Sequence, residues 1–156
     1  MALPNRADVP EELKWKLEHI YSSDQDWESD MERAATEVPR LAAMAGTLGE
    51  GAVRLYEALR LRDNVSQLVE KLYTYSRMRR DEDNANPKYQ AMSDRAVSFA
   101  VQAQAAASFV APEILGIPDD VLAEFIAGLP ELGLYRHFLD DITRRRAHTL
   151  SVAEER

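Results

Sequence analysis

The amino-acid sequence predicts an all-α fold, a helical bundle built around one long antiparallel helical hairpin. Three observations carry that prediction. Over two long stretches, apolar residues recur at alternating steps of four and three, which gathers them on one face of a 3.6-residue helix. Proline and glycine stand where helices open and close. No stretch combines the alternation, the β-branched density and the Asn-Gly or Asp-Gly turns of a hairpin sheet.

Residues 1–22, which include Pro4 and Pro10, read as an extended N-terminal arm laid on the body. Apolar residues alternate there at Leu13, Trp15 and Leu17, so Trp15, Leu17 and Tyr21 are its expected anchors. A first helix is predicted to open at Ser23, because Asp24 and Asp26 place negative charge in its first turn. Its stripe is Trp27, Met31, Ala34, Val38, Leu41 and Ala45. Pro39 removes the backbone bond to residue 35, which predicts a kink or a break, and the glycines at 46, 49 and 51 end the element.

The central hairpin is expected at about 51–79 and 86–111. Leu61, Val65, Leu68, Leu72 and Tyr75 make the first stripe; Tyr89, Met92, Ala96, Phe99, Ala103, Ala106 and Val110 make the second. The polar segment 81–87 between them has the length that joins antiparallel neighbours in bundles. Alanine dominates the second stripe, so a neighbouring helix can approach closely. Beyond it, Pro112 opens a single turn that Gly116 closes. Pro118 opens a short helix over Val121, Leu122, Phe125 and Ile126 that Gly128 stops. Pro130 starts a last helix with Leu132, Tyr135, Leu139 and Ile142 inward, Phe138 widening the stripe, and Arg144 to Arg146 in the final turn.

Ser151-Val152-Ala153-Glu154 has the Ser-x-x-Glu form of a capping box. A helix of one turn cannot sustain itself. The motif is therefore either accidental in a frayed tail or the start of a helix that continues in a longer protein, and the capping signal favours the second. The domain reading that follows is an arm over 1–22, a helical domain over 23–150, and the start of a truncated helix over 151–156.

Composition narrows the function. The formal charge of −8 repels a phosphate backbone, so nucleic acid is not an expected partner. The basic runs Arg77 to Arg80 and Arg144 to Arg146 fall at expected helix ends, where cations complement the macrodipole. No apolar run approaches the roughly 20 residues that span a bilayer, and the first residues lack the apolar core of a secretory signal. A membrane partner is not expected, and a cytoplasmic setting is. With no cysteine, thiolate catalysis and cysteine-based metal sites are excluded.

The histidines do not complete a metal motif. A zinc peptidase helix needs His-Glu-x-x-His, but His19, His137 and His148 are followed by Ile20, Phe138 and Thr149. The Glu-x-x-His of di-iron bundles fails as well, since Lys16, Leu134 and Arg145 stand three residues before them. His137 and Asp141 lie four apart, which suits two ligands of a site or, more commonly, a hydrogen-bonded surface pair. His148 reads as a residue satisfying backbone groups beyond a helix end or as a substrate contact. No serine lies in a Gly-x-Ser-x-Gly turn, and no Gly-x-x-x-x-Gly-Lys loop is present. The adjacent carboxylates Asp119-Asp120 and Asp140-Asp141 point in different directions on a helix. No catalytic, metal or cofactor residue is assigned within the chain.

Taken in order, several segments resemble oligoendopeptidase F, within the thimet-oligopeptidase-like zinc metallopeptidases. They are Trp15-Lys16-Leu17-Glu18-His19-Ile20-Tyr21 with Ser23, Asp24 and Trp27; Lys71-Leu72-Tyr73-Thr74-Tyr75; Asp81, Asp83 and Tyr89; Ser108-Phe109-Val110-Ala111-Pro112-Glu113-Ile114-Leu115; Tyr135; and Arg144 to His148 with Thr149, Leu150, Ser151 and Glu154-Glu155. Lys16 departs from a position that is often acidic in that family. The resemblance implies mainly structural roles for these residues. It also implies a parent enzyme that cleaves oligopeptides, with its zinc and its His-Glu-x-x-His in a C-terminal catalytic portion. That portion would be the chain's partner, oligopeptide would meet only the full enzyme, and these helices would wall the substrate channel. A stand-alone scaffold or homodimer, docking through an apolar face of the hairpin, is the alternative.

Overall fold

The computed structural model of the chain describes residues 6–148, except the side chains of Ala7, Ala147 and His148. Among the described residues there are six α-helices, with short 3-10 helices before α1, between α1 and α2, between α5 and α6, and after α6, and no strand. They are α1 (Asp24–Ala42), α2 (Ala52–Glu82), α3 (Pro87–Ala107), α4 (Val110–Gly116), α5 (Asp119–Gly128) and α6 (Arg136–Arg144). The expected all-α fold is present, with α2 and α3 as the long hairpin. None of these helices is long and apolar enough to cross a membrane. The capping box at Ser151 lies outside the described residues.

The chain forms two compact units. One comprises Met1–Val38 with Asn64–Ala105, the other Pro39–Asp63 with Ala106–Arg156.

In the first unit, Ser23 caps α1 through its hydroxyl, which accepts from the Asp26 N–H at 3.2 Å. The buried faces are Trp27, Met31, Ala34 and Val38 from α1, Val65, Leu68, Leu72 and Tyr75 from α2, and Met92, Ala96, Phe99 and Ala103 from α3. Asn86 caps α3, its side-chain oxygen accepting from the Lys88 N–H at 3.0 Å, with Pro87 in the first helical position. The arm closes this unit from outside with 3-10 turns at Arg6–Asp8, Glu11–Leu13 and Leu17–His19. Leu17 and Tyr21 are buried as expected, but Trp15 is 51% exposed and Leu13 71%. The alternation that suggested three anchors presumes an extended strand. The tight turns on either side of Trp15 break that period and send its indole outward.

The second unit has its own core, which includes Leu48, Leu55, Leu59, Val110, Ile114, Leu132 and Leu139 together with Met44, Ile117, Leu122 and Ile142. Each such side chain contributes about 1.5–3 kcal/mol on full burial. Three boundaries differ from the sequence reading. The helix α1 is not broken at Pro39 but runs on to Ala42. Past Leu41 the chain tightens into a 3-10 turn, with the Met44 N–H donating to the Leu41 carbonyl at 3.0 Å, so Met44 rather than Ala45 is buried. The second arm of the hairpin stops at Ala107, because Pro112 lacks the N–H that would bond residue 108 and its ring crowds that carbonyl. Val110 and Pro112 then share the first turn of α4, where proline loses nothing. Residues Pro130–Tyr135 form a 3-10 helix before α6 instead of one continuous α-helix.

Candidate functional site

Among the side chains singled out by the family resemblance, Tyr75 meets the carboxylate of Asp24 in the first unit. This carboxylate opens α1, where its charge suits the helix N-terminus. It accepts the Tyr75 hydroxyl at 2.8 Å and the Lys88 ammonium, and Arg79 stands 3.8 Å away. Burial alone pushes the Asp24 carboxyl up, but the hydrogen bonds from Lys88 and Tyr75 and the two cations outweigh it and hold it below the usual carboxylate range. Arg79 spans the Tyr75 and Tyr89 rings at 5.2 and 5.5 Å from their centroids. Lys88 and Arg79 come from different helices, so sequence spacing could not show that they share one carboxylate.

A second knot lies at Tyr21. Its hydroxyl donates to Asp30 at 2.7 Å, its ring meets that of Tyr75 edge-on at 5.2 Å, and the Lys71 ammonium sits 3.9 Å above it. Beside it, α1 and α2 enclose a cleft of about 480 Å³ lined by Asp30, Arg33, Glu37, Asn64, Gln67 and Lys71. Its charges are already matched, with Asp30 taking Arg33 at 2.9 Å and Lys71 at 3.7 Å.

Trp27 is fully buried and donates its indole N–H to the Leu72 carbonyl at 2.9 Å, while Arg95 covers the ring at 5.0 Å. Arg95 is held in turn by a bidentate pair with Glu28, both contacts at 2.7 Å. Tyr73 is half-buried and accepts from Arg77 at 2.6 Å. In the second unit Tyr135 packs edge-on against Tyr56 at 6.3 Å and bonds Asp63. Phe109 is half-buried against the core and Pro112 is exposed. Glu113 reaches back to accept the N–H groups of Gly46 and, at 3.2 Å, Leu48. Gly46 has a φ of 85°, a left-handed conformation that turns the loop so both N–H groups face one carboxylate. His148 closes a 3-10 turn, and Ser151 lies outside the described residues.

These contacts also settle the other sequence candidates. Asp141 pairs with Arg145 at 2.6 Å and not with His137. Arginines of both basic runs are engaged in ion pairs. Arg79 pairs with Asp24 and Glu82, Arg80 with Asp81, and Arg146 with Asp119, and Arg146 also donates to the Ile117 carbonyl. Among the described residues no three His, Cys, Asp or Glu side chains are grouped so as to hold a metal. The zinc that the family resemblance implies thus finds no fitting group of ligands among the described residues.

The buried tyrosines should be visible in an alkaline titration. Burial pushes the Tyr21 hydroxyl well above the ordinary range, and it pushes Tyr75 and Tyr135 up to about 12. In the unfolded chain they ionise near 10. The folded state thus holds more protons above pH 10, and stability is expected to fall as pH rises from about 10 to about 12. Phenolate absorbance at 295 nm should rise in two waves, the second coinciding with loss of helical circular dichroism. A single wave centred near pH 10 with the helices intact would contradict this.

The chain's likeness to known proteins follows its whole length. Residues 113–156 match the family model described as Oligopeptidase F. The chain is 40% identical over 153 residues to Oligopeptidase PepF of Bacillus subtilis, covering 98% of this chain and 23% of that protein. It is 33% identical to the plasmid Oligoendopeptidase F of Lactococcus lactis, covering 97% of this chain and 26% of that one. The crystal structure of oligoendopeptidase-F from Enterococcus faecium superposes on 85% of the chain, and on 25% of its own, with a TM-score of 0.73 and 32% identity. A Chlamydophila abortus protein shares the fold over 99% of the chain, with a TM-score of 0.86 at 21% identity. The chain thus spans about a quarter of the length of the relatives it matches.

Proposed function

Because the chain belongs to the oligoendopeptidase F family, as its N-terminal region, we propose that it is the non-catalytic N-terminal portion of a zinc oligopeptidase and forms a wall of the substrate channel. The observation that carries this reading is the match along 98% of the chain to only 23% of an oligopeptidase. The chemistry belongs to the remaining three quarters. The helices here supply shape. Their side chains are committed to one another, as the knots at Asp24 and Tyr21 illustrate, and such a wall holds its form without a bound substrate. A rigid helical wall admits a short unfolded peptide and excludes a folded protein. The partners in this reading are the C-terminal catalytic portion and, in the full enzyme, oligopeptide, and the setting is cytoplasmic.

The test reads the coding sequence past Arg156 and assays its product. The reading frame is expected to continue into His-Glu-x-x-His, and the full protein to cleave a quenched fluorescent heptapeptide in a chelator-sensitive way. Residues 1–156 alone should show no cleavage. A stop codon directly after Arg156, or cleavage by residues 1–156, would overturn the proposal.

A further inference from the structure

We propose that the cleft between α5 and α6 binds a dipeptide with an apolar side chain, holding its free carboxylate on Arg136 and its free ammonium on Asp140. This goes beyond the functional reading above, in which the helices supply shape alone, and does not depend on it. The cleft measures about 450 Å³ and lies wholly in the second unit. Leu122, Ala123, Ile126 and Ala127 give it an apolar face on α5, and Arg136 and Asp140 line it from α6. A concave apolar surface of this size with a few convergent polar groups is the usual make-up of a small-molecule site.

Two uncommitted charges set this cleft apart from the one beside Tyr21, where Arg33 and Lys71 already take Asp30. Here Asp119 pairs with Arg146, and the Thr143 hydroxyl is spent on the Leu139 and Asp140 carbonyls at 3.1 and 3.3 Å. Among the described residues, the side chains of Arg136 and Asp140 take part in no hydrogen bond or ion pair. Local structure gives no reason for the arginine. It is the first residue of α6, where the helix dipole disfavours a cation. It does not brace the helix through Asp140 either, because a pair four residues apart with the cation on the N-terminal side is the weaker order.

The ligand's chemistry follows from charge and spacing. One cation beside one carboxylate complements a zwitterion, whereas Asp140 repels a phosphate and an uncharged apolar molecule leaves both charges partly desolvated and unmet. Arg136 and Asp140 are one turn apart, about 6 Å along α6. The termini of an extended dipeptide are about 7 Å apart, against about 2.5 Å in a single amino acid and about 10 Å in a tripeptide. A dipeptide therefore reaches both charges while its side chain lies against Leu122 and Ile126. In this orientation its carboxylate also meets the N-terminus of α6, where negative charge is favoured.

Residues 1–156 contain no cysteine, so Ala123→Cys places a single thiol of this region on the cleft's apolar face. In the full-length protein, maleimide labelling of that thiol, followed by the mass of its own peptide, is expected to slow at least about threefold in millimolar Leu-Leu. N-acetyl-Leu-Leu and Leu-Leu-amide each lose one charged contact, and each should need at least about tenfold more ligand for the same protection. Arg136→Gln should abolish the difference between Leu-Leu and its amide but keep that between Leu-Leu and the acetylated peptide. Asp140→Asn should do the reverse. A merely structural role for either side chain would weaken all three peptides alike, and that result would overturn the proposal. So would equal protection by the three peptides, protection by free leucine as strong as by Leu-Leu, or no protection at about 50 mM Leu-Leu. Hydrogen exchange over residues 119–143 of the protein without the cysteine should follow the same ligand order, and it decides the matter if Ala123→Cys disturbs the cleft. Cleavage of the heptapeptide by the same protein reports on the functional reading separately, so either can fail alone.

Discussion

Trp27→Ala is expected to lower the stability of the chain by about 3–5 kcal/mol, the cost of emptying a fully buried indole site. Trp27 has no exposed surface, and its neighbours Met31, Leu72 and Tyr75 belong to the same packed core, so the space cannot collapse freely. A domain of this size has a total stability of about 5–15 kcal/mol. The variant should therefore show a much lower urea midpoint by circular dichroism, or fail to fold. Trp27→Phe separates the two parts of the effect. It keeps most of the apolar volume and removes the donor to the Leu72 carbonyl, a hydrogen bond with a net contribution of about 1 kcal/mol. If Trp27→Ala shifted stability by less than about 1 kcal/mol, the indole would not be the keystone of the first unit.

Glu113→Ala is expected to cost about 2 kcal/mol, because two backbone N–H groups lose a charged acceptor at once. The effect falls on the second unit, where Glu113 holds the 46–48 loop to the first turn of α4. Glu113→Gln should lie between wild type and Glu113→Ala. Its single carbonyl oxygen can still accept, but its amide presents a donor to a donor. Hydrogen exchange at Gly46 and Leu48 is the direct readout. Unchanged protection at both amides in Glu113→Ala would mean that the loop holds its shape without the carboxylate.

The architecture was legible in the sequence because helical periodicity is a local property. The stripes Val65, Leu68, Leu72, Tyr75 and Met92, Ala96, Phe99, Ala103 are buried as their spacing demands. Local signals failed where a neighbouring turn altered the period. The alternation at Leu13, Trp15 and Leu17 points Trp15 inward, but the flanking 3-10 turns abolish it, and the turn past Leu41 buries Met44 in place of Ala45. Pro112 reads from the sequence as opening a single turn, and its missing bond to residue 108 also breaks the chain between α3 and α4 four residues upstream.

What the sequence by itself determined is the class of fold, the position of every long helix, the lack of a complete metal or nucleophile motif and, through its ordered segments, the family. These depend on residue type at fixed spacing along one chain. Only the tertiary structure decided which charges meet and which surfaces remain open. Asp24 reads from the sequence as a helix-start charge and becomes the shared partner of Tyr75 and Lys88, and Glu113 becomes the acceptor for a loop 65 residues earlier. Val97 and Val101 turn out to face away from the core. Such pairings form between elements distant along the chain, and a side chain's chemistry does not specify which distant partner the packing brings to it.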